Sequence, residues 1–118
     1  MIDMTCFAPL NLQRQGNGAW KAVNDPGEPN LDRPRWSVTE DEGTILMLLT
    51  AGQAVLEIGT GLGISALFMA QMAKEVVTVD IDPWVQNTVW PCLANIPLIK
   101  TVGERPLGLA EHHDGLEW

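Results

Sequence analysis

The sequence predicts an α/β fold built on a short parallel sheet, and three observations support this prediction. First, residues Ala54–Ala73 read as a buried strand, a tight glycine turn and an amphipathic helix in direct succession. Second, the β-branched run at Val76–Val79 predicts another buried strand, which ends in an acidic turn. Third, the run at Leu98–Val102 predicts a third strand. Strands that alternate with helical segments are typical of parallel sheets.

The composition is that of a globular chain with one modest core. Its 118 residues are 46% hydrophobic and 19% charged. No apolar run is long enough to span a bilayer, and the N-terminus lacks the basic region of a secretory signal. Because these features favour a reducing compartment, we expect a cytoplasmic protein without a membrane partner. The net charge of −8, with only 7 lysines and arginines, argues against a nucleic acid partner.

The two cysteines do not suggest a disulfide framework or a metal cluster. Cys6 and Cys92 are few in number and distant in sequence. We interpret each as a small buried hydrophobic residue rather than as a nucleophile.

Residues 1–35 are interpreted as an irregular N-terminal arm. This segment is rich in glycine and proline, shows no sustained periodicity and contains consecutive turn signals at Asn24–Asn30. Trp20 and Phe7 are its candidate anchor residues. A partly mobile tail is the alternative interpretation. Residues 36–118 form the α/β domain.

The α/β domain opens with a helix predicted over Trp36–Leu49. Two capping boxes are available, Ser37 with Glu40 and Thr39 with Glu42. Negatively charged side chains in the first turn interact favourably with the positive end of the helix dipole. We therefore interpret these acidic residues as capping residues rather than catalytic ones.

The glycine turn that follows the first strand has the spacing G-x-G-x-G, formed by Gly59, Gly61 and Gly63. The dinucleotide fingerprint would require glycine where Ile64 stands. Glycines accept positive φ and let a ligand approach the backbone and the free N–H groups of the next helix. Glu57, just before the turn, would repel a pyrophosphate and would suit an ammonium or sulfonium group.

The second strand ends in Asp80, 19 residues after Gly61. A carboxylate at this place in a βαβ unit can accept both hydroxyls of a ribose. Ile81 is a candidate to pack against the edge of an adenine. Asp82 precedes Pro83, and we interpret it as the cap of the next helix.

The string EIGTGLG at Glu57–Gly63 resembles motif I of the class I S-adenosylmethionine-dependent methyltransferases. With the later VVTVDIDP, the longer string VLEIGTGLGISAL is most similar to their small-molecule O-methyltransferase branch. The resemblance implies S-adenosylmethionine as cofactor and a Rossmann-like three-layer unit with strand order 3-2-1. It implies methyl transfer by direct displacement to an oxygen or nitrogen nucleophile of an unidentified small-molecule acceptor.

The same resemblance assigns roles to individual residues. The backbone of Gly59, Thr60, Gly61 and Gly63 would hold the methionine half. Glu57 would face the ammonium group, and Asp80 would hold the ribose. A glycine and an acid after the third strand often lie beside the adenine in this family. Glu104 matches that acid, and an ordinary solvated loop acid is the equal alternative.

Beyond the third strand the resemblance gives no site residues. It covers Ser37 to about Glu104, and the family's fourth strand should begin near Leu116–Trp118. We therefore expect an apparently truncated, N-terminal cofactor-binding half, with no metal site and no catalytic residue carried over. We interpret His112 and His113 as exposed loop residues rather than metal ligands or bases.

Without a fourth strand, the first strand would present an unpaired apolar edge at Val55–Ile58. A homodimer, a separate partner chain or the N-terminal arm could cover it. Three other interpretations of the chain stay open: a non-catalytic cofactor-binding or assembly module, a fragment of a longer methyltransferase, and a nicotinamide-linked oxidoreductase. Glu57 and Ile64 argue against the last.

Overall fold

A computed structural model describes residues 2–27 and 35–103 of the chain. The expectations for Glu104, for the two histidines and for a fourth strand lie outside the described residues. The strands and helices, in chain order, are β1 (Leu12–Arg14), β2 (Trp20–Ala22), α1 (Glu40–Leu49), β3 (Ala54–Ile58), α2 (Ile64–Ala70), β4 (Glu75–Val79), α3 (Trp90–Leu93) and β5 (Ile99–Val102).

The main sheet is parallel, with β4 between β3 and β5. Ala54 is registered with Glu75 across the first pair, and Val76 with Ile99 across the second. The predicted α/β class and the predicted order, with the strand before the glycine turn at one edge, are both confirmed. The carboxyl ends of β3 and β4 therefore lie side by side, where the glycine turn and the acidic turn begin.

Helix α1 begins at Glu40, later than expected, because the chain uses the second of the two capping boxes. The Thr39 hydroxyl accepts from the Glu42 N–H, and the Glu42 carboxylate accepts from the Thr39 N–H. The helix packs closely on α2 at Gly43, where an added methyl group would overlap the ring of Phe68. Glycine is therefore needed here for close helix packing.

Helix α2 ends at Ala70, three residues before the predicted Ala73. The chain turns there because it must run back beside the entry to β3, where the Gly52 N–H donates to the Met72 carbonyl at 2.8 Å. Nearly every residue of α2 is buried, as expected of a helix between α1 and the sheet.

Pro91 does not end the helix before β5. Helical structure extends over residues 83–93, and its middle is a π-helical turn at Val85–Val89. The Trp90 N–H donates to the Val85 carbonyl across this widened turn. Because proline lacks an N–H and its ring crowds the preceding turn, a widened turn before Pro91 accommodates it without breaking the helix.

The described part of the N-terminal arm is ordered rather than irregular. A 3-10 turn at Thr5–Leu10 precedes the antiparallel hairpin of β1 and β2. Phe7 and Trp20 are both buried, which confirms them as anchors. The hairpin strands pair with one another, so in the described residues the arm does not add a strand to the edge of β3.

The two faces of the main sheet have different surroundings. Val76 and Thr78 point into the core, which the helices and the N-terminal arm share. On the opposite face, Leu56 and Ile58 of β3 are 65% and 71% exposed. Within the described residues this outer face of β3 is thus uncovered. No helix in the described part of the chain is long and apolar enough to cross a membrane.

Candidate functional site

The candidate site lies at the carboxyl ends of β3 and β4, where the glycine turn meets the acidic turn. The N–H groups of Gly59 and Thr60 both donate to the Val79 carbonyl, at 2.7 and 3.1 Å. These hydrogen bonds extend the β3–β4 pairing into the turn. The turn is thereby held beside the residues that follow β4, as a shared binding edge requires.

Asp80 borders the open side of the glycine turn. Its Oδ2 accepts from the Gly61 N–H at 3.2 Å, and its Oδ1 accepts from the Asp82 N–H at 2.9 Å. Each carboxylate oxygen keeps a further lone pair for another donor, such as a ribose hydroxyl. A Cβ built on Gly61 would meet nothing within 4 Å, so a ligand could approach the backbone here.

Gly63 has a different environment from Gly61. Its N–H donates to the Thr60 carbonyl at 2.9 Å and closes the turn. A Cβ at Gly63 would lie 3.0 Å from Val89 and 3.2 Å from Phe7. Gly63 therefore joins the turn to the hydrophobic core, and its own N–H is already used.

Glu57 lies between the glycine turn, α2 and β4. Thr78 Oγ1 donates to Glu57 Oε1 at 2.8 Å, and the Ser65 hydroxyl donates to Oε2. Burial raises the pKa of this carboxyl, and the nearby charge of Asp80 acts in the same direction. The hydrogen bonds from Ser65 and Thr78 oppose this rise because they favour the charged form.

Two further side chains, Thr60 and Trp90, extend the hydrogen bonding of Glu57 inward beyond Thr78. The hydroxyls of Thr60 and Thr78 are 2.7 Å apart, and Trp90 Nε1 donates to Thr60 Oγ1 at 3.1 Å. No role in the site was predicted from the sequence for Thr78, Ser65 or Trp90. The available signal was the single hydroxyl of Thr78 within an otherwise apolar strand.

Asp82 caps the next helix, as predicted. Its Oδ1 accepts from the Trp84 N–H at 2.9 Å. Its other oxygen pairs with Arg35, a buried residue that also pairs with Asp25 and stacks on Trp84, 4.8 Å from the ring centroid. Arg35, which was not predicted from the sequence, thus links the N-terminal arm to the turn after β4.

The side chain of Ile81 is 72% exposed beside Asp80, an accessible apolar surface of the kind expected to pack on an adenine. Gln86 holds the neighbouring strand ends together, since its Nε2 donates to the carbonyls of Asp80 and Gly103 at 2.8 and 3.4 Å. Gly103 is the last described residue. The predicted role of Glu104 is therefore untested.

Cys6 and Cys92 lie apart from this site, on a shared cavity of about 400 Å³ between the 3-10 turn and α3. Burial raises the pKa of both thiols. Raised pKa values disfavour the reactive thiolate, consistent with our interpretation of both as hydrophobic residues.

Three known proteins that this chain resembles are all described as methyltransferases. No protein-family model matches the sequence. The chain is 53% identical over 38 residues to protein-L-isoaspartate O-methyltransferase 2 of Shewanella sediminis (strain HAW-EB3), a stretch covering 32% of this chain and 16% of that protein.

Two solved structures share the fold. A Klebsiella pneumoniae protein assigned as an O-methyltransferase matches with a TM-score of 0.55 and 25% identity, over 74% of this chain and 48% of that one. The 23S rRNA methyltransferase ErmE matches with a TM-score of 0.51 and 23% identity, over 57% of this chain and 29% of that one. The chain thus spans less than half the length of each of these three proteins.

These similarities confirm the resemblance to class I methyltransferases that the motifs indicate. They also confirm the fold class, a partial Rossmann-like unit with a three-stranded parallel sheet.

Proposed function

We propose that this chain binds S-adenosylmethionine at the carboxyl ends of β3 and β4, as the cofactor-binding half of a methyltransferase. The observation that carries the proposal is the pair of carboxylates, Glu57 and Asp80, beside the open part of the glycine turn. S-adenosylmethionine presents an ammonium and a sulfonium group together with two ribose hydroxyls. Carboxylates complement all of these groups.

Each side chain has a separate role in this proposal. Asp80, fixed by the Gly61 N–H, accepts from the ribose hydroxyls. Glu57 accepts from the ammonium group, directly or through water. Ile81 packs against the adenine, and the backbone from Gly59 to Gly63 borders the methionine half. Glu104 is proposed to lie near the adenine amino group.

When bound, S-adenosylmethionine supplies an electrophilic methyl group for direct displacement by the acceptor. The protein would contribute by positioning, because Glu57 and Asp80 would hold the ammonium group and the ribose at one edge of the sheet. We propose a small-molecule acceptor with an oxygen or nitrogen nucleophile, in the cytoplasm.

The edge and the outer face of β3 form an apolar surface that is open to a partner. Leu56 and Ile58 are exposed there, and in the described residues β3 pairs only with β4. We propose that a second copy of the chain or a partner chain covers this surface, because an unpaired apolar strand favours association.

Two alternative functions are less well supported. A non-catalytic module is not favoured, because the three matched proteins are all described as methyltransferases. A nicotinamide-linked enzyme would place a pyrophosphate next to Glu57, which like-charge repulsion disfavours.

Calorimetric titration of the purified chain with S-adenosylmethionine, S-adenosylhomocysteine and NAD tests the proposal. We expect micromolar binding of the first two ligands, none of NAD, and at least tenfold weaker binding by Asp80→Ala. Asp41→Ala is the matched control, because it makes the same substitution at an exposed aspartate on α1. A folded chain that binds neither sulfur ligand, or that prefers NAD, would exclude the proposal.

A further inference from the structure

We infer that Trp90, Thr60 and Thr78 form a positioning relay for Glu57, which fixes the orientation of its carboxylate at the glycine turn. The relay runs from Trp90 Nε1 through the two threonine hydroxyls to Glu57 Oε1. Its ligand role rests on the proposed function, because Glu57 is there assigned to the ammonium group. The relay itself is a property of the ligand-free chain.

The chemistry of the two end groups fixes the direction of the relay. An indole N–H can only donate, and an ionised carboxylate can only accept. Thr78 uses its one proton on Glu57, so Thr60 must donate to Thr78 and accept from Trp90. With Glu57 ionised, all three hydrogen bonds are satisfied in one arrangement of protons, and that arrangement has Glu57 Oε1 as the final acceptor.

Burial increases the importance of the relay. Thr60 and Thr78 are almost fully buried, so water cannot replace a lost partner there. Ser65 holds the second oxygen of Glu57 from the first turn of α2. Among the described residues, Asp80 is the charged side chain that influences Glu57, and its negative charge opposes the effect of the hydrogen bonds from Ser65 and Thr78.

The π-helical turn explains how Trp90 takes part. It lies directly before Trp90, and α3 starts at Trp90 itself. A π-helical turn adds a residue to the helical repeat and so changes the direction in which later side chains point. The indole of Trp90 thus reaches Thr60, which is 30 residues earlier in the sequence and lies within the glycine turn.

The first experiment follows the Glu57 carboxyl by ¹³C NMR during a pH titration of the ligand-free chain. We expect Thr78→Val to move the midpoint upward, by about one pH unit for the loss of one hydrogen bond to a charged group. Thr78→Ser, which keeps the hydroxyl, should restore the wild-type midpoint. Trp90→Phe should give a smaller upward shift, because its hydrogen bond acts through two intervening hydroxyls.

Two matched controls make the same chemical changes outside the relay. Thr101→Val alters an exposed residue registered directly beside Thr78 on β5, and Trp36→Phe alters a tryptophan that is 51% exposed. Neither control should move the midpoint. An unchanged midpoint in Thr78→Val, with folding verified by circular dichroism, would overturn the relay.

Titration with S-adenosylhomocysteine separates the relay from the proposed function. We expect Thr78→Val to weaken binding about tenfold at neutral pH, with recovery in Thr78→Ser. If the midpoint shifts but the wild type does not bind, the relay stands and the cofactor assignment fails. If the wild type binds and the midpoint does not shift, the relay fails and the cofactor assignment stands.

Discussion

Gly61 and Gly63 lie two residues apart in one turn, and both have positive φ, yet they face opposite surroundings. The Gly61 N–H meets the Asp80 carboxylate, and the space where a Cβ would stand is open. At Gly63 that space is bounded by Val89, Phe7 and Leu93. Glycine is therefore required for two different reasons within one motif. At Gly61 it leaves room for a ligand, and at Gly63 it allows close packing against the core.

Gly63→Ala gives the largest effect that follows from this comparison. The new methyl group meets Val89 at 3.0 Å, and the residue must keep φ near +84°. Strain of about 1–2 kcal/mol and overpacking of about 1–3 kcal/mol should together lower the free energy of unfolding by about 2–5 kcal/mol. Chemical denaturation measures this loss, and a loss below 1 kcal/mol would contradict the inward orientation of Gly63.

Gly61→Ala should separate stability from binding. The methyl group meets no atom, so only the left-handed backbone is strained, and we expect a loss of about 1–2 kcal/mol. The affinity for S-adenosylhomocysteine should fall at least tenfold, because the methyl group occupies the open side of the turn. If Gly61→Ala destabilised the chain as much as Gly63→Ala and bound normally, the two glycines would not differ as described.

Glu57→Gln should change stability less than either glycine substitution. Whether this variant is more or less stable than the wild type depends on pH. Because the pKa of Glu57 is raised in the folded chain, the folded state retains a proton that the unfolded chain has released. The contribution of Glu57 to stability is therefore fully present below the ordinary value of 4.5 and is lost as the pH rises through the raised value.

The glutamine variant does not titrate, so its melting temperature should depend less on pH across that window. At neutral pH it should melt slightly above the wild type and bind the sulfonium ligand more weakly. Thermal melts from pH 4 to pH 8 measure the first expectation. A wild type that gains stability relative to Glu57→Gln as the pH rises would contradict the raised pKa.

The features predicted from the sequence are local ones. Strand β3, the glycine turn and the Asp80–Asp82 turn are encoded within a few residues each, and the structure has all three. The cap at Asp82 was also predictable, because it precedes Pro83 at a helix start.

The features missed depend on pairs that are distant along the chain. Arg35 and Asp82 are 47 residues apart, and Trp90 and Thr60 are 30 apart. No periodicity or spacing rule connects such residues before the fold brings them together. The effect of Pro91 on its helix also depends on tertiary packing, which decides whether a proline ends a helix or widens the preceding turn.

Arg35 has a consequence for how the chain unfolds. Its guanidinium is buried between the carboxylates of Asp25 and Asp82, one before and one far beyond α1 and β3 in sequence. If the N-terminal arm detached alone, charges would be left in the interior without their partner, which is strongly unfavourable. The arm and the start of the helix after β4 are thus coupled into one cooperative unit, whose amide protons exchange together rather than segment by segment.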